Sequence, residues 1–234
     1  MNKIIGGGLI SKHMVNLNTD SDCLVIGAGV SNSNETRESE FQREAELIES
    51  VIKAHRSLRV VYFSTCSVGQ SNKTPYVNHK LAMEDMVSSF ANEWCIYRLP
   101  QVVGVVNNTT LISYFVRSIL RRVPMTIQKG AYRYLIDIND VVRICEYLLN
   151  SNKGLNTIQS IAPLYAAPVI DIVERISGLL EIHADYELVT SGESYGIDSR
   201  EIMECLCNDD KIFAESYWCG VLDKYVPLLR NISC

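Results

Sequence analysis

No excess of positive charge marks this chain of 234 residues: 22 Lys and Arg stand against 27 Asp and Glu, a formal net charge of -5. A nucleic-acid or anionic-membrane partner therefore has no electrostatic footprint here. No apolar run approaches the roughly 18 residues that a membrane-spanning helix needs. Among eight cysteines no C-x-x-C occurs, and "CLC" at 205–207 lacks a second ligand pair, so no metal site is expected. His13, His55, His79 and His183 are scattered, without an H-x-x-x-H spacing, and read as surface or packing residues. No repeat, low-complexity tract or long linker interrupts the chain, and "MNKIIGGGLI" is too short and glycine-rich for a signal peptide.

What is present is ordinary for a soluble globule, 47% hydrophobic and 21% charged, long enough for one domain or a domain with a lobe. Several cysteines stand inside apolar runs, as in "DCLVIG" and "WCIYRL", where a thiol acts as a small buried hydrophobe. That usage points to a reducing, cytoplasmic location.

"KIIGGGLI", "DCLVIGAGV", "LRVVYFST" and "WCIYRLP" read as buried strands. Between the second and third, Phe41, Ala45, Leu47, Ile48, Val51 and Ile52 recur at spacings of three and four, an amphipathic helix. Residues 76 to 93 form the next helix. Continuous apolar strands alternating with helices predict a doubly wound parallel sheet, α/β in class and Rossmann-like. Residues 1–104 make up this core. Beyond it, "YRYLIDI" reads as one strand, "NDVVRICEYLL" as a helix capped by Asn139 or Asp140, and "APVIDIVERISGLL" as a helix ending at Gly178. "YWCGVLDKYVPLL" is a closing helix. The stretch 105–234 is expected to complete the core and form a small substrate-binding lobe.

Gly6, Gly8 and Ser11 stand in a G-x-G-x-x-S arrangement between the first strand and a brief helix. Such a turn lets backbone approach a pyrophosphate, and its third position needs a small residue for helix–strand packing. The acid that usually grips the adenosine ribose about 20 residues later is missing, since Asp20 and Asp22 precede the wrong strand. Further on, "PYVNHKLAMED" puts Tyr76 and Lys80 one helical turn apart. This is either a plain surface pair or a phenol tuned by an ammonium into a general acid–base. A hydroxyl from Ser64, Thr65 or Ser67 would hold a substrate oxygen in line.

Taken in order, "GGGLISKHMV", "LVIGAGVS", "VVYFSTCSV", "PYVNHKLAMEDMV", "YRLPQVVG" and "YRYLIDINDVVRICEYLL" resemble the extended short-chain dehydrogenase/reductase family of nucleotide-sugar epimerases, dehydratases and ketoreductases. The resemblance implies NAD or NADP as cofactor, a nucleoside-diphosphate sugar as substrate, and a homodimer through the helices at 39–56 and 76–93. It gives Thr65 the hydroxyl role, Tyr76 the acid–base role, and Lys80 the nicotinamide ribose and the lowering of the phenol's pKa. Gly6 and Gly8 would face the pyrophosphate, Gly27, Ala28 and Gly29 line the cofactor, and Pro100 approach the nicotinamide. Asn107 or Asn108 would grip the sugar nucleotide; Arg133 is a diphosphate ligand or a solvated surface residue. Two departures stand out. The region of the second and third strands is deleted, and the Asp-Glu pair that follows the threonine in sugar dehydratases is replaced by Cys66 and Ser67. Dehydration is thereby disfavoured, leaving reduction of a keto group (4-ketoreductase type), epimerisation by the same residues, or a non-catalytic binding module.

Overall fold

The computed structural model describes residues 1–105, 110–190, 195–206 and 210–233. The first half alternates strand and helix: β1 (Lys3–Ile5), α1 (Leu9–Met14), β2 (Cys23–Ile26), α2 (Glu38–Ala54), β3 (Arg59–Thr65), α3 (Pro75–Phe90) and β4 (Trp94–Leu99). The rest runs β5 (Gln101–Val103), α4 (Leu111–Leu120), β6 (Met125–Gln128), β7 (Tyr132–Arg133), β8 (Leu135–Asp137), α5 (Ile138–Asn150), β9 (Thr157–Ser160) and β10 (Ala167–Pro168). It closes with α6 (Val169–Leu180), β11 (Tyr186–Val189), α7 (Arg200–Cys205) and α8 (Tyr217–Ser233).

Five strands form one parallel sheet in the order β1-β2-β3-β4-β9. Alternate residues of the central strands feed opposite faces, as the period of two requires. Leu24, Ile26, Val60, Tyr62 and Ile96 pack with Ile48 and Ile52 of α2 and Met83 and Val87 of α3. Cys23, Val25, Val61, Phe63, Cys95 and Tyr97 meet Met14 of α1 and Ile144, Cys145 and Leu148 of α5. Burial on both faces is why the middles of these strands read as continuous apolar runs.

The handedness of the connections follows from this division. Strands β1 to β4 advance in one direction, yet α1 covers the α5 face while α2 and α3 cover the other. The β1–α1–β2 crossover therefore has the opposite hand to the two that follow it, against the strong preference for one hand. Chains leaving β1 and β2 depart to opposite sides, which opens a crevice between the carboxyl ends of those two strands.

Several local expectations are corrected. "YRYLIDI" is two strands: β7 pairs antiparallel with β10, and β8 pairs parallel with β5. Helix α5 is capped by Asp137, whose carboxylate accepts from the Asn139 N–H at 2.8 Å, so neither Asn139 nor Asp140 is the cap. Helix α6 runs past Gly178 and ends where Glu181 takes the left-handed conformation (φ 55°). Strand β9 has no apolar run to announce it, because it is an edge strand with two exposed residues at its start.

Asp137 and Asp140 also bind the C-terminal helix. Asp137 accepts from Tyr225 Oη and Lys224 Nζ, each at 2.6 Å, and Asp140 from Tyr217 Oη at 2.8 Å. The lobe of α4, α6 and α8 thus shares one core with the α5 face of the sheet. Cys23, Cys66, Cys95, Cys145, Cys205 and Cys219 are free thiols. Among the described residues no helix is long and apolar enough to cross a membrane, and no group of side chains is arranged to hold a metal ion.

Candidate active site

The carboxyl ends of the strands bring the sequence candidates together. Gly6 follows β1, Gly27, Ala28 and Gly29 follow β2, Thr65 ends β3, and Pro100 follows β4. Thr65 is paired in register with Leu99, so Pro100 lies one residue beyond the neighbour of the threonine. Gly6 takes φ +122°, and a Cβ there would lie 2.5 Å from Ser11 Oγ and 2.7 Å from Ala28 N. A Cβ on Gly27 would meet the same Ser11 Oγ at 2.5 Å. These glycines let α1 close onto two strand ends, with the Ser11 hydroxyl held near the Ile5 carbonyl at 3.3 Å. Only glycine adopts that backbone without strain.

Gly7 and Gly8 differ, since nothing lies within 4 Å of where their Cβ would stand. The top of the turn is therefore open to a pyrophosphate, and the residues here fit a dinucleotide on that side. On the adenosine side β1 is the edge of the sheet. Gly29 has another use: its missing side chain makes room for the Glu44 carboxylate, which a Cβ would approach to 2.5 Å.

Helix α3 begins at Pro75 behind Thr74, whose hydroxyl accepts from the Val77 N–H at 3.2 Å. That cap fixes the phase of the helix. Tyr76, Val77, Lys80, Met83, Glu84 and Val87 then face the protein, so Tyr76 and Lys80 are a buried pair. The Thr65 side chain reaches the Tyr76 phenol and works to lower its pKa. The two residues assigned to the substrate oxygen thus meet.

Lys80 differs from its expected part. Only 4% exposed, it donates to Glu44 Oε1 at 3.0 Å and to Tyr62 Oη at 2.6 Å. It was expected to lower the phenol's pKa. In the structure the Tyr76 phenol is instead pushed up to about 12, by burial first and then by the Glu44 charge, with the Thr65 side chain opposing. The ammonium faces a carboxylate, and the charge that acts on the phenol is that of Glu44.

Glu44 is a functional candidate that the sequence reading passed over. Fully buried, it accepts four hydrogen bonds: Lys80 and Tyr62 on Oε1, His79 Nε2 (2.9 Å) and the Val30 N–H (2.7 Å) on Oε2. Burial works to raise its pKa, but His79, Lys80 and Val30 together outweigh it and hold the carboxyl at about 2. A signal did exist. The buried stripe of α2 is Phe41, Glu44, Ile48 and Ile52, a lone acid on an apolar face. His79, read as a packing residue, stacks on Phe41 at 4.6 Å and serves the same carboxylate.

Cys66 and Ser67 begin a short 3-10 turn after Thr65. Cys66 Sγ donates to the Arg98 carbonyl, and burial pushes its thiol up to about 12. Ser67 Oγ lies 3.3 Å from the phenol of Tyr195, whose ring also passes close to Gly69. Tyr195 feels the Arg133 charge, which brings Arg133 to this side of the site; its Nη1 donates to the Tyr132 carbonyl. Asn107 and Asn108 lie outside the described residues.

Comparison with solved structures shows the same fold in distant relatives. RMD from Pseudomonas aeruginosa, complexed with NADPH, is 13% identical with a TM-score of 0.78, covering 99% of this chain and 99% of that one. The dTDP-glucose 4,6-dehydratase of Bacillus anthracis, in complex with NAD, is 18% identical with a TM-score of 0.67 over 88% and 72%. The UDP-glucose 4-epimerase of Thermus thermophilus, in complex with NAD, is 16% identical with a TM-score of 0.63 over 77% and 70%. No curated protein matches the chain. A family profile, described as the NAD dependent epimerase/dehydratase family, matches residues 24–161. That stretch opens in β2 and closes just past β9, taking in Thr65, Tyr76 and Lys80 but not the glycine turn. Over more than half of its length, then, the chain is a member of the NAD dependent epimerase/dehydratase family, a family of NAD-dependent enzymes.

Proposed function

We propose that this protein reduces a keto group on a nucleoside-diphosphate sugar, of the 4-ketoreductase type, with NADH or NADPH. When bound, the nicotinamide dinucleotide supplies a hydride to the carbonyl carbon. Tyr76 gives its phenolic proton to the carbonyl oxygen, and Thr65 holds that oxygen by a hydrogen bond. Lys80 has three N–H donors, of which Glu44 and Tyr62 take two, so one is left for a ribose hydroxyl. Arg133, with Asn107 or Asn108, serves the diphosphate and the sugar nucleotide. The phenolate left on Tyr76 regains its proton from solvent.

The observation that carries this reading is the approach of the Thr65 side chain to the buried Tyr76 phenol at the carboxyl edge of the sheet that also carries an open glycine turn. One other disfavours dehydration among the family's reactions: Cys66 and Ser67 offer no carboxyl group to eliminate water. Epimerisation by the same three residues is the second reading, favoured by their shared place in the family. We also propose a cytoplasmic homodimer through α2 and α3, to be read by sedimentation.

The test is a titration with NADH and NADPH followed by nicotinamide fluorescence, then addition of a nucleoside-diphosphate 4-keto-6-deoxy sugar. Binding followed by stoichiometric oxidation supports the reductase. Binding with sugar interconversion and no net oxidation supports the epimerase. Absence of binding at millimolar cofactor overturns both and leaves a non-catalytic module of this fold.

A further inference from the structure

Strand β1 ends the sheet on its side, and among the described residues no strand pairs with its outer edge. Its Ile4 and Ile5 are only half-buried, whereas all four residues of β2 are buried. Gly6, Gly7 and Gly8 follow it and are exposed. Thr65 ends β3, two strands away, or about 10 Å at the usual strand spacing. A dinucleotide that runs from Thr65 to the glycine turn therefore crosses the sheet toward its edge. With the nicotinamide at Thr65 and the pyrophosphate on the turn, the adenosine falls beyond β1.

The short stretch between α1 and β2 does not reach that place, because it is tied to the opposite end of the sheet. Asn2, just before β1, donates to the Leu17 carbonyl at 2.8 Å and accepts from Thr19 Oγ1 (3.0 Å) and the Cys23 N–H (2.9 Å). The Asn18 and Asp20 N–H groups donate to Glu146 and Asn150, at 2.8 and 2.9 Å, near the end of α5. Asp22 directly precedes β2, so the whole strand, a rise of about 16 Å, separates it from Gly27 at the mouth. Beyond β2 the two buried acids are already committed, Glu35 to Thr36 and Arg37, and Glu44 to its four donors. We propose that the adenosine half of the cofactor lies outside the fold, so that this site recognises the nicotinamide mononucleotide half and the phosphate next to it. This placement rests on the reading of the site as a nicotinamide site. An adenosine in solvent buries no area and leaves its ribose without a protein partner, so it adds little affinity. The 2′-phosphate that separates NADPH from NADH sits on that ribose, and it too meets water.

The test is equilibrium binding of NADH, NADPH and reduced nicotinamide mononucleotide to the whole chain, read by nicotinamide fluorescence with no sugar present. The dissociation constants of NADH and NADPH should agree within about threefold, and that of the mononucleotide should lie within about tenfold of both, a difference of about 1.4 kcal/mol or less. AMP at millimolar concentration should not displace NADH. The double variant Asp20→Asn with Asp22→Asn, whose side chains are exposed at the far end of the sheet, should bind NADH as the parent does. NADH held more than about tenfold tighter than the mononucleotide overturns the proposal, because the adenosine must then be gripped. So does displacement by AMP, a preference between NADH and NADPH beyond about threefold, or a loss of NADH affinity in the double variant. Any of these leaves the reductase reading standing, since the dinucleotide still binds. If none of the three nucleotides binds at millimolar concentration, the proposal and that reading fall together.

Discussion

Removing the Glu44 charge should cost stability in a way that depends on pH. The carboxyl is held at about 2 in the folded chain, against an ordinary value of 4.5. That difference corresponds to about 3 kcal/mol of stability at neutral pH. Because the folded value is the lower one, the contribution is present in full above the unfolded value and is lost as pH falls toward the folded one. About 1 kcal/mol should be gone by pH 4 and about 2 kcal/mol by pH 3. The assay is urea unfolding of the parent and of Glu44→Gln at pH 7, 4 and 3. Other carboxyl groups titrate alike in both proteins and drop out of the difference. At pH 7 the variant should be weaker by about 3 kcal/mol, in keeping with what breaking one side of a buried ion pair costs. The gap should narrow by about 2 kcal/mol at pH 3. Parallel curves, with the same gap at all three pH values, would refute the reasoning, since the carboxylate would then be carrying no folding-linked proton.

Tyr76→Phe should abolish turnover of a keto-sugar while leaving cofactor affinity almost unchanged, because the ring stays and only the proton is lost; retained turnover would exclude the acid role. Gly6→Ala should destabilise the chain by about 1–3 kcal/mol, since φ +122° is strained for alanine and the new Cβ meets Ser11 and the Ala28 N–H; a thermal melt equal to that of the parent would count against the closed turn. Cys66 should resist iodoacetamide at pH 8 in the folded chain, while the partly exposed Cys205 is alkylated, as peptide mass spectrometry would read.

The strand–helix alternation from β1 to β4 was legible because each element carries its own period, and the Tyr76–Lys80 pair was legible because one helical turn is a local distance. The end of β3 could be located from "FST", though not which hydroxyl would meet the phenol until the resemblance singled out Thr65. Local signals failed where burial is low or the partner is distant. Strand β9 is polar and lies at an edge, so it shows no apolar run. The α5 cap went to Asp137 because that residue ends β8, and a strand meeting a helix without a loop leaves no turn residues to read.

By itself the order of residues settled the strand–helix alternation from β1 to β4 and placed a phenol one turn from an amine, since both depend on neighbours within a few positions. What that amine faces was decided only by the folded chain. Glu44 stands 36 residues from Lys80 and 18 from Tyr62, on a helix and a strand that meet only when the sheet assembles. Charges act through space, and no spacing along the chain records which carboxylate will be buried against an ammonium.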